Sequence, residues 1–373
     1  MDFHNSAPGS PESQSAYKNK NSTSLPEECA LKVRYLVGCL AGLGLAAAAA
    51  VAVSMPGEPP SGDPIVIKFS HVVAPETPKG KAAEKFKELA EQITGGAVKV
   101  RVYPNSELYK DKEELEALQL GAVQMLAPSL AKFGALGVKE YEALDLPYIF
   151  PSYDALHKVT GGAVGERLFA RLEDKGIKGL AYWDNGFKIM SANQALIHPA
   201  DYRGLKMRIQ ASNVSAAQMA ALGALPQAMA FSDVYQALQS GLADGAENTP
   251  SNLYTQRMHE VQSHLTVTNH GYLGYAVIVN KAFWDQLPDD IRDQLEEAMR
   301  QATDFENQIA AKENEDALEK IRAAGTTQIH EPTEGERNEM IAALLPVHRQ
   351  MAELIGQDTI DAIYQATGFQ LTQ

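Results

Sequence analysis

The chain reads as an α/β protein built in two lobes. Strand-like and helix-like segments alternate from Pro64 onward, and the alternation starts afresh after residue 152. Farther on, the stretch from Asp289 to Ala324 holds neither glycine nor proline. Alternation of this kind places a largely parallel sheet under a cover of helices. The 373 residues suffice for two domains, each with its own core. Two α/β lobes of similar size are the simplest packing of the elements.

Taken in order, Ile65-Val-Ile-Lys-Phe is a β-branched strand leading into a loop at Ser70-His-Val-Val. Thr77 suits an N-cap, and Pro78 fits the first helical position, where its missing donor costs nothing. Ala82, Phe86, Leu89, Ala90 and Ile93 share one face of that helix, which Gly95-Gly96 stops. Val98, Val100 and Val102 alternate with polar residues as a half-buried strand. A helix over Asp111 to Leu120 and a short strand over Val123 to Ala127 complete the first series.

The second series opens with helices from Ser152 and over 163–175, then strands at Gly179-Leu-Ala-Tyr-Trp and Leu205-Lys-Met-Arg-Ile. Helices follow at 214–222, from a Ser232 cap to Gly241, and at 253–261. Tyr275-Ala-Val-Ile-Val-Asn reads as a fully apolar strand. In the last long stretch, Ile291, Leu295, Ala298, Met299, Ala302, Phe305 and Ile309 recur at helical spacing. Such a helix would be about 50 Å long at roughly 1.5 Å per residue, so it is expected to cross both lobes.

Charge and cysteine usage narrow the function. With 47 acidic and 33 basic residues the formal net charge is -14, which repels nucleic acid and anionic lipid. An acidic ligand must therefore be held by a few local cations. The cysteines, Cys29 and Cys39, both lie ahead of the first strand, leaving the rest without disulfide or cysteine-ligated metal. Lys32 and Arg34, an apolar run to Val53, and Ala50-Val-Ala before a Pro-rich segment have the order of a secretory signal. Residues 1–53 thus read as a polar leader with export signal and 54–63 as a linker, followed by a soluble exported chain.

Motifs of covalent or metal chemistry are weak. His259-Glu-Val-Gln-Ser-His264 spaces its histidines five apart, whereas a zinc helix needs four to align them. Both are read as surface residues. Ser129-Leu-Ala-Lys132 matches a Ser-x-x-Lys pattern without its Lys-Thr-Gly companion. No phosphate-binding or dinucleotide loop is present, so neither an enzyme nor a cofactor is expected. Two cations stand out instead. Lys188 follows a strand end at Trp183-Asp-Asn-Gly-Phe, and Arg208 lies between apolar neighbours in Leu205-Lys-Met-Arg-Ile. A half-buried guanidinium is paired, and the residues alone leave open whether the partner is internal or a ligand carboxylate. Asn248 reads as a loop amide after a helix.

Several blocks run in the same order as in a known family: Phe69-Ser-His-Val-Val-Ala-Pro, Thr77-Pro-Lys-Gly-Lys-Ala-Ala, Leu126-Ala-Pro-Ser-Leu-Ala-Lys-Phe and Asp145-Leu-Pro-Tyr-Ile-Phe. Trp183-Asp-Asn-Gly-Phe-Lys, Leu205-Lys-Met-Arg-Ile, Met229-Ala-Phe-Ser-Asp-Val-Tyr and Asn269-His-Gly-Tyr-Leu-Gly-Tyr continue them. From Ile65 to about Phe369 the chain resembles the DctP-type solute-binding proteins of TRAP (tripartite ATP-independent) transporters. That resemblance implies a periplasmic binding protein of two lobes joined by crossing strands, with a long helix spanning both. Lobe one would hold 64–185 and 274–313, lobe two 186–273 and 314–373.

The resemblance also assigns the site. It makes Arg208 the partner of a ligand carboxylate, Asn248 an amide on the same carboxylate, and Phe231 an aromatic wall. Lys188 becomes a second cation suited to a diacid, and Ser129 and Tyr272 become hydroxyl contacts. The implied ligand is a C4-dicarboxylate such as succinate, malate or fumarate, although relatives also bind keto, sugar and aromatic acids. A small and a large integral membrane subunit are the implied partners. A periplasmic sensor subunit, and a hydrolase using Ser129 or the histidines, are the competing readings.

Overall fold

The structure, a computed structural model, describes residues 62–371. The export segment, both cysteines and the linker up to residue 61 lie outside the described residues. Nine strands form one sheet: β1 Ile65–Ser70, β2 Val98–Tyr103, β3 Met125–Leu126, β4 Ile177–Ala192, β5 Lys206–Ile209, β6 Leu225–Ala228, β7 Gly245–Asn248, β8 His264–Asn280 and β9 Gln328–His330. Their order is β2-β1-β3-β8-β4-β7-β5-β6, with β9 beside β8. Within each half the pairs β1/β2, β1/β3, β5/β6 and β5/β7 are parallel. The halves join through β4 and β8, which are antiparallel to each other.

These joining strands are the main departure from the sequence reading. The strands expected at 179–183 and 275–280 are the lobe-one ends of β4 and β8, which have 16 and 17 residues. At about 3.3 Å per residue each runs roughly 50 Å, enough to traverse both halves. Their register slips between Gly179 and Ala181, between Asp184 and Gly186, and again between Lys188 and Met190. The last two slips fall between the stretch of β8 paired with β3 and the stretch of β4 paired with β7, the place for a hinge.

The helices are α1 Pro78–Ile93, α2 Glu114–Gln119, α3 Tyr153–Thr160, α4 Ala163–Glu173, α5 Asn213–Ala221, α6 Val234–Ser240, α7 Pro250–Thr255, α8 Lys281–Asp285, α9 Asp289–Ala324, α10 Glu334–Leu344, α11 Pro346–Ile355 and α12 Gln357–Thr367. Thr77 caps α1 by accepting the Gly80 N–H at 3.1 Å, and Ser152 caps α3 likewise through Ala155 at 3.2 Å. Ser232 does not cap α6; it sits in a 3-10 turn, and Asp233 precedes the helix. The helix expected at 253–261 stops at Thr255, because Arg257 takes a positive φ of 56°.

α9 is a single unbroken helix of 36 residues, closed by Gly325 at φ 68°. Asp289 and Asp290 in its first turn and Arg322 in its last agree with the helix dipole. Its first half packs Ile291, Leu295, Ala298, Met299 and Ala302 against Phe69, Phe86 and Trp183. Ile321, near its end, joins Val234, Leu238 and Leu253 in the other half. Among the described residues no helix is long and apolar enough to cross a membrane.

The range 314–373, expected in the second lobe, packs in two directions. α10 does pack on the β5 side, where Met340 and Leu344 meet Met207 and Met219. However, Val347, Met351, Ile355, Ile360 and Ile363 of α11 and α12 share a core with Leu156, Val159 and Leu168 of α3 and α4. Pro346, at the first position of α11, redirects the chain back over the first half. Helical periodicity shows which face is apolar, not which core that face joins.

Candidate functional site

β5 alternates as a strand does: Met207 and Ile209 enter the core of the second half, and Arg208 faces the opposite way. Arg208 is 1% exposed. Its Nε and Nη2 donate to the Met229 carbonyl at 3.1 and 2.8 Å, and the Phe231 ring lies 5.9 Å from Cζ. Among the described residues no carboxylate lies within ion-pair distance of the guanidinium, and Nη1 makes no hydrogen bond. Burial lowers the Arg208 pKa from the ordinary arginine value, while the charges of Asp111 and Glu247 oppose that shift. Asp111 is engaged elsewhere, with Lys132 and with the Phe231 N–H at 2.6 Å. The guanidinium is thus oriented from one side and unneutralised on the other.

Asn248 ends β7, two residues beyond the Ala246 that pairs with Arg208. It belongs to a strand, not a loop. Its amide oxygen accepts from Thr249 N and Asn252 Nδ2, both at 2.9 Å, and its Nδ2 makes no hydrogen bond among the described residues. Ser129 Oγ donates to Gln210 Oε1 at 3.1 Å, which places it beside the strand that carries Arg208. Arg208, Phe231, Asn248 and Ser129 therefore gather where the two halves meet.

Lys188 and Tyr272 do not join them as free ligand groups. Lys188 Nζ donates to Asp145 Oδ1 at 2.7 Å and to Glu247 at 3.1 Å, all three side chains being buried. Burial alone would lower its pKa, but the two carboxylates hold it above the ordinary lysine value. Ser212, Ser215 and His270 complete the network around the same carboxylates, at 2.6, 2.8 and 3.0 Å. The expected second ligand cation is thus neutralised internally. Tyr272 donates to Asp184 Oδ1 at 2.5 Å and packs edge-on against Phe150 and Phe187. It fastens the crossing strands.

The histidine pair is also corrected in part. His259 is buried, stacked at 5.2 Å on Tyr254, and only His264 is partly exposed. They lie on a 3-10 turn and on β8, and no group of metal-ligating side chains occurs among the described residues. Sequence reasoning missed Asp145, Glu247 and His270, although Asp145 and His270 stand inside stretches quoted for other reasons. The signal of Asp145, an acid between two leucines, is shared with many surface acids.

The halves are clasped across this seam. Lys110 binds Asp233 at 2.7 Å, Glu142 accepts from the Asn213 Nδ2 at 2.7 Å, and Asp145 accepts from Ser212. Two α/β halves hinged on crossing strands, with an unneutralised guanidinium at the seam, define a binding protein for a small anion. The chain belongs to the DctP family, bacterial extracellular solute-binding protein family 7, whose model matches residues 69–354.

It is 64% identical over 334 residues to the C4-dicarboxylate-binding periplasmic protein DctP of Rhodobacter capsulatus, covering 90% of this chain and 98% of that one. It is 43% identical to the C4-dicarboxylate-binding protein DctB of Bacillus subtilis, over 80% of this chain and 85% of that one. Among solved structures, a TRAP periplasmic solute-binding protein of Shewanella oneidensis with bound succinate superposes at a TM-score of 0.80 with 43% identity, over 82% of this chain and all of that one. One from Pseudomonas aeruginosa with bound L-malate superposes at 0.75 with 41% identity, over 77% of this chain and all of that one.

Proposed function

We infer that this chain is the extracytoplasmic solute-binding subunit of a TRAP transporter, capturing a C4-dicarboxylate and delivering it to integral membrane subunits. The observation that carries this reading is Arg208: buried, aimed by the Met229 carbonyl, and unpaired with any carboxylate among the described residues. A ligand carboxylate supplies the missing negative charge, and a planar guanidinium grips it through two donors at once. Asn248, two residues along β7 from the Ala246 that pairs with Arg208, is offered as a third donor through Nδ2, and Phe231 as the wall of the site. The names of the relatives and the succinate and malate in the solved structures support the C4-dicarboxylate class. A related structure with galactonate, at 28% identity, shows that the fold also serves a sugar acid.

Calorimetry with succinate, malate, fumarate, galactonate and butyrate tests the ligand class. The C4 diacids are expected to bind, and preferential binding of galactonate would overturn it. Arg208→Met should weaken succinate binding by about 30-fold to several thousand-fold, since truncating one partner of a buried charge pair costs about 2–5 kcal/mol. Undiminished binding would remove Arg208 from the site. The leader read in the sequence and the periplasmic relatives support a periplasmic location, and cell fractionation checks it.

A further inference from the structure

Lys188 is neutralised internally, so a ligand with two carboxylates needs another cation, and the first half holds one. Lys79 is 1% exposed and occupies the first turn of α1, the positive end of a 16-residue helix with no acidic residue in that turn. Burial, absence of a partner and the helix dipole all disfavour a charge there. Its Nζ donates to the Ala127 carbonyl at 2.9 Å and sits 3.7 Å above the Tyr275 ring. Among the described residues no carboxylate reaches it. The nearest acids are engaged: Asp111 and Glu114 with Lys132, and Glu306 with the Asp184 N–H at 2.8 Å. Burial, reinforced by Lys132, pulls the Lys79 pKa down to about 7.

Beside it lie buried polar groups that nothing among the described residues satisfies. His71, at the end of β1, is 1% exposed, and apart from a weak approach to the Val73 backbone neither ring nitrogen has a hydrogen-bond partner. Burial and the Lys79 charge hold His71 at about 3, so it is a neutral imidazole with a free donor. The neighbouring Ser70 Oγ is likewise unpartnered. Orphaned buried donors around an unpaired cation are costly unless an acceptor completes them. The segment that receives Lys79 at Ala127 continues to Ser129, which bonds Gln210, two residues beyond Arg208. Lys79 and Arg208 thus approach the same seam from opposite halves.

Resting on the dicarboxylate reading above, we propose that Lys79, with His71 beside it, binds the second carboxylate of the ligand opposite Arg208. Each lobe then holds one end of the diacid, and closure brings the two cations to a single dianion. A monoacid leaves Lys79 without its counter-charge, which makes this pole the source of selectivity for diacids.

The test is calorimetry of the full mature chain with succinate, for wild type, Lys79→Met and Lys79→Arg, with melting temperatures of the ligand-free proteins. Lys79→Met is expected to lose succinate affinity by about 100-fold or more, as truncation at a buried charge pair does, while Lys79→Arg loses less. The ligand-free melting temperature of Lys79→Met should equal or exceed wild type, because an unpaired buried cation is removed. Succinate binding by Lys79→Met within about threefold of wild type overturns the proposal and leaves the transporter-subunit reading standing. Lost binding with a fall of more than about 5 °C in the ligand-free melting temperature marks Lys79 as structural and overturns it too. Wild type that binds no C4 diacid overturns both.

Discussion

Replacing Lys188 by methionine should damage the fold more than the site. The ammonium is the counter-ion of two buried carboxylates, Asp145 at 2.7 Å and Glu247 at 3.1 Å. Removing one partner of a buried ion network costs about 3–5 kcal/mol, because the remaining charges stay in a medium that solvates them poorly. For a chain of this size about 2 °C is lost per kcal/mol, so the melting temperature should fall by about 6–10 °C at neutral pH. Acidity supplies a second check. Burial would raise the Glu247 pKa, but Lys188 and His270 draw it down to about 2. A carboxylate depressed on folding stabilises above its ordinary pKa of 4.5 and loses that contribution as pH falls toward about 2. Without Lys188 that depression is largely removed. The deficit of the variant should therefore be largest at pH 7.5 and shrink toward pH 4.5, where the stranded Glu247 carboxyl takes up a proton. Calorimetric melts at the two pH values measure it. A variant that melts within about 2 °C of wild type at pH 7.5 yet no longer binds succinate would refute this reasoning and return Lys188 to the ligand.

Further outcomes follow from the hinge region. Glu306 is buried on α9; burial, then the charge of Asp184, pushes its pKa well above the ordinary glutamate value. An acid raised on folding costs stability increasingly as pH climbs above its unfolded pKa, so the margin of Glu306→Gln over wild type should grow as pH rises above the ordinary glutamate range, read in urea melts. Asn314 on the same helix donates to the Asn185 carbonyl at 2.6 Å and accepts the Ser251 N–H at 3.0 Å, tying α9 to the β4 irregularity and to the start of α7. Asn314→Ala strands both backbone groups and should cost about 1–3 kcal/mol by denaturant titration. Gly186→Ala should also destabilise, since a Cβ there would lie 2.8 Å from Asn314 Nδ2 and 3.1 Å from the Tyr153 hydroxyl.

What the sequence by itself determined was local or contained in the family resemblance. The N-caps Thr77 and Ser152 and the unbroken helix Asp289–Ala324 were legible because their causes lie within a few residues: capping oxygens, periodicity and the absence of breakers. Arg208 was legible as a half-buried cation, although the choice between an internal partner and a ligand came from resemblance. Tertiary structure decided what depends on partners distant in the chain. The length of β4 and β8 arises from their pairing with each other and with both half-sheets, which no local pattern encodes. The same holds for the two lysines: Lys188, 43 residues from Asp145 and 59 from Glu247, is neutralised by them, while Lys79 is left with a carbonyl and an aromatic face. A charge shows its role only when the fold places its counter-charge near or far, because Coulomb attraction and desolvation depend on distance and burial, not on position in the sequence.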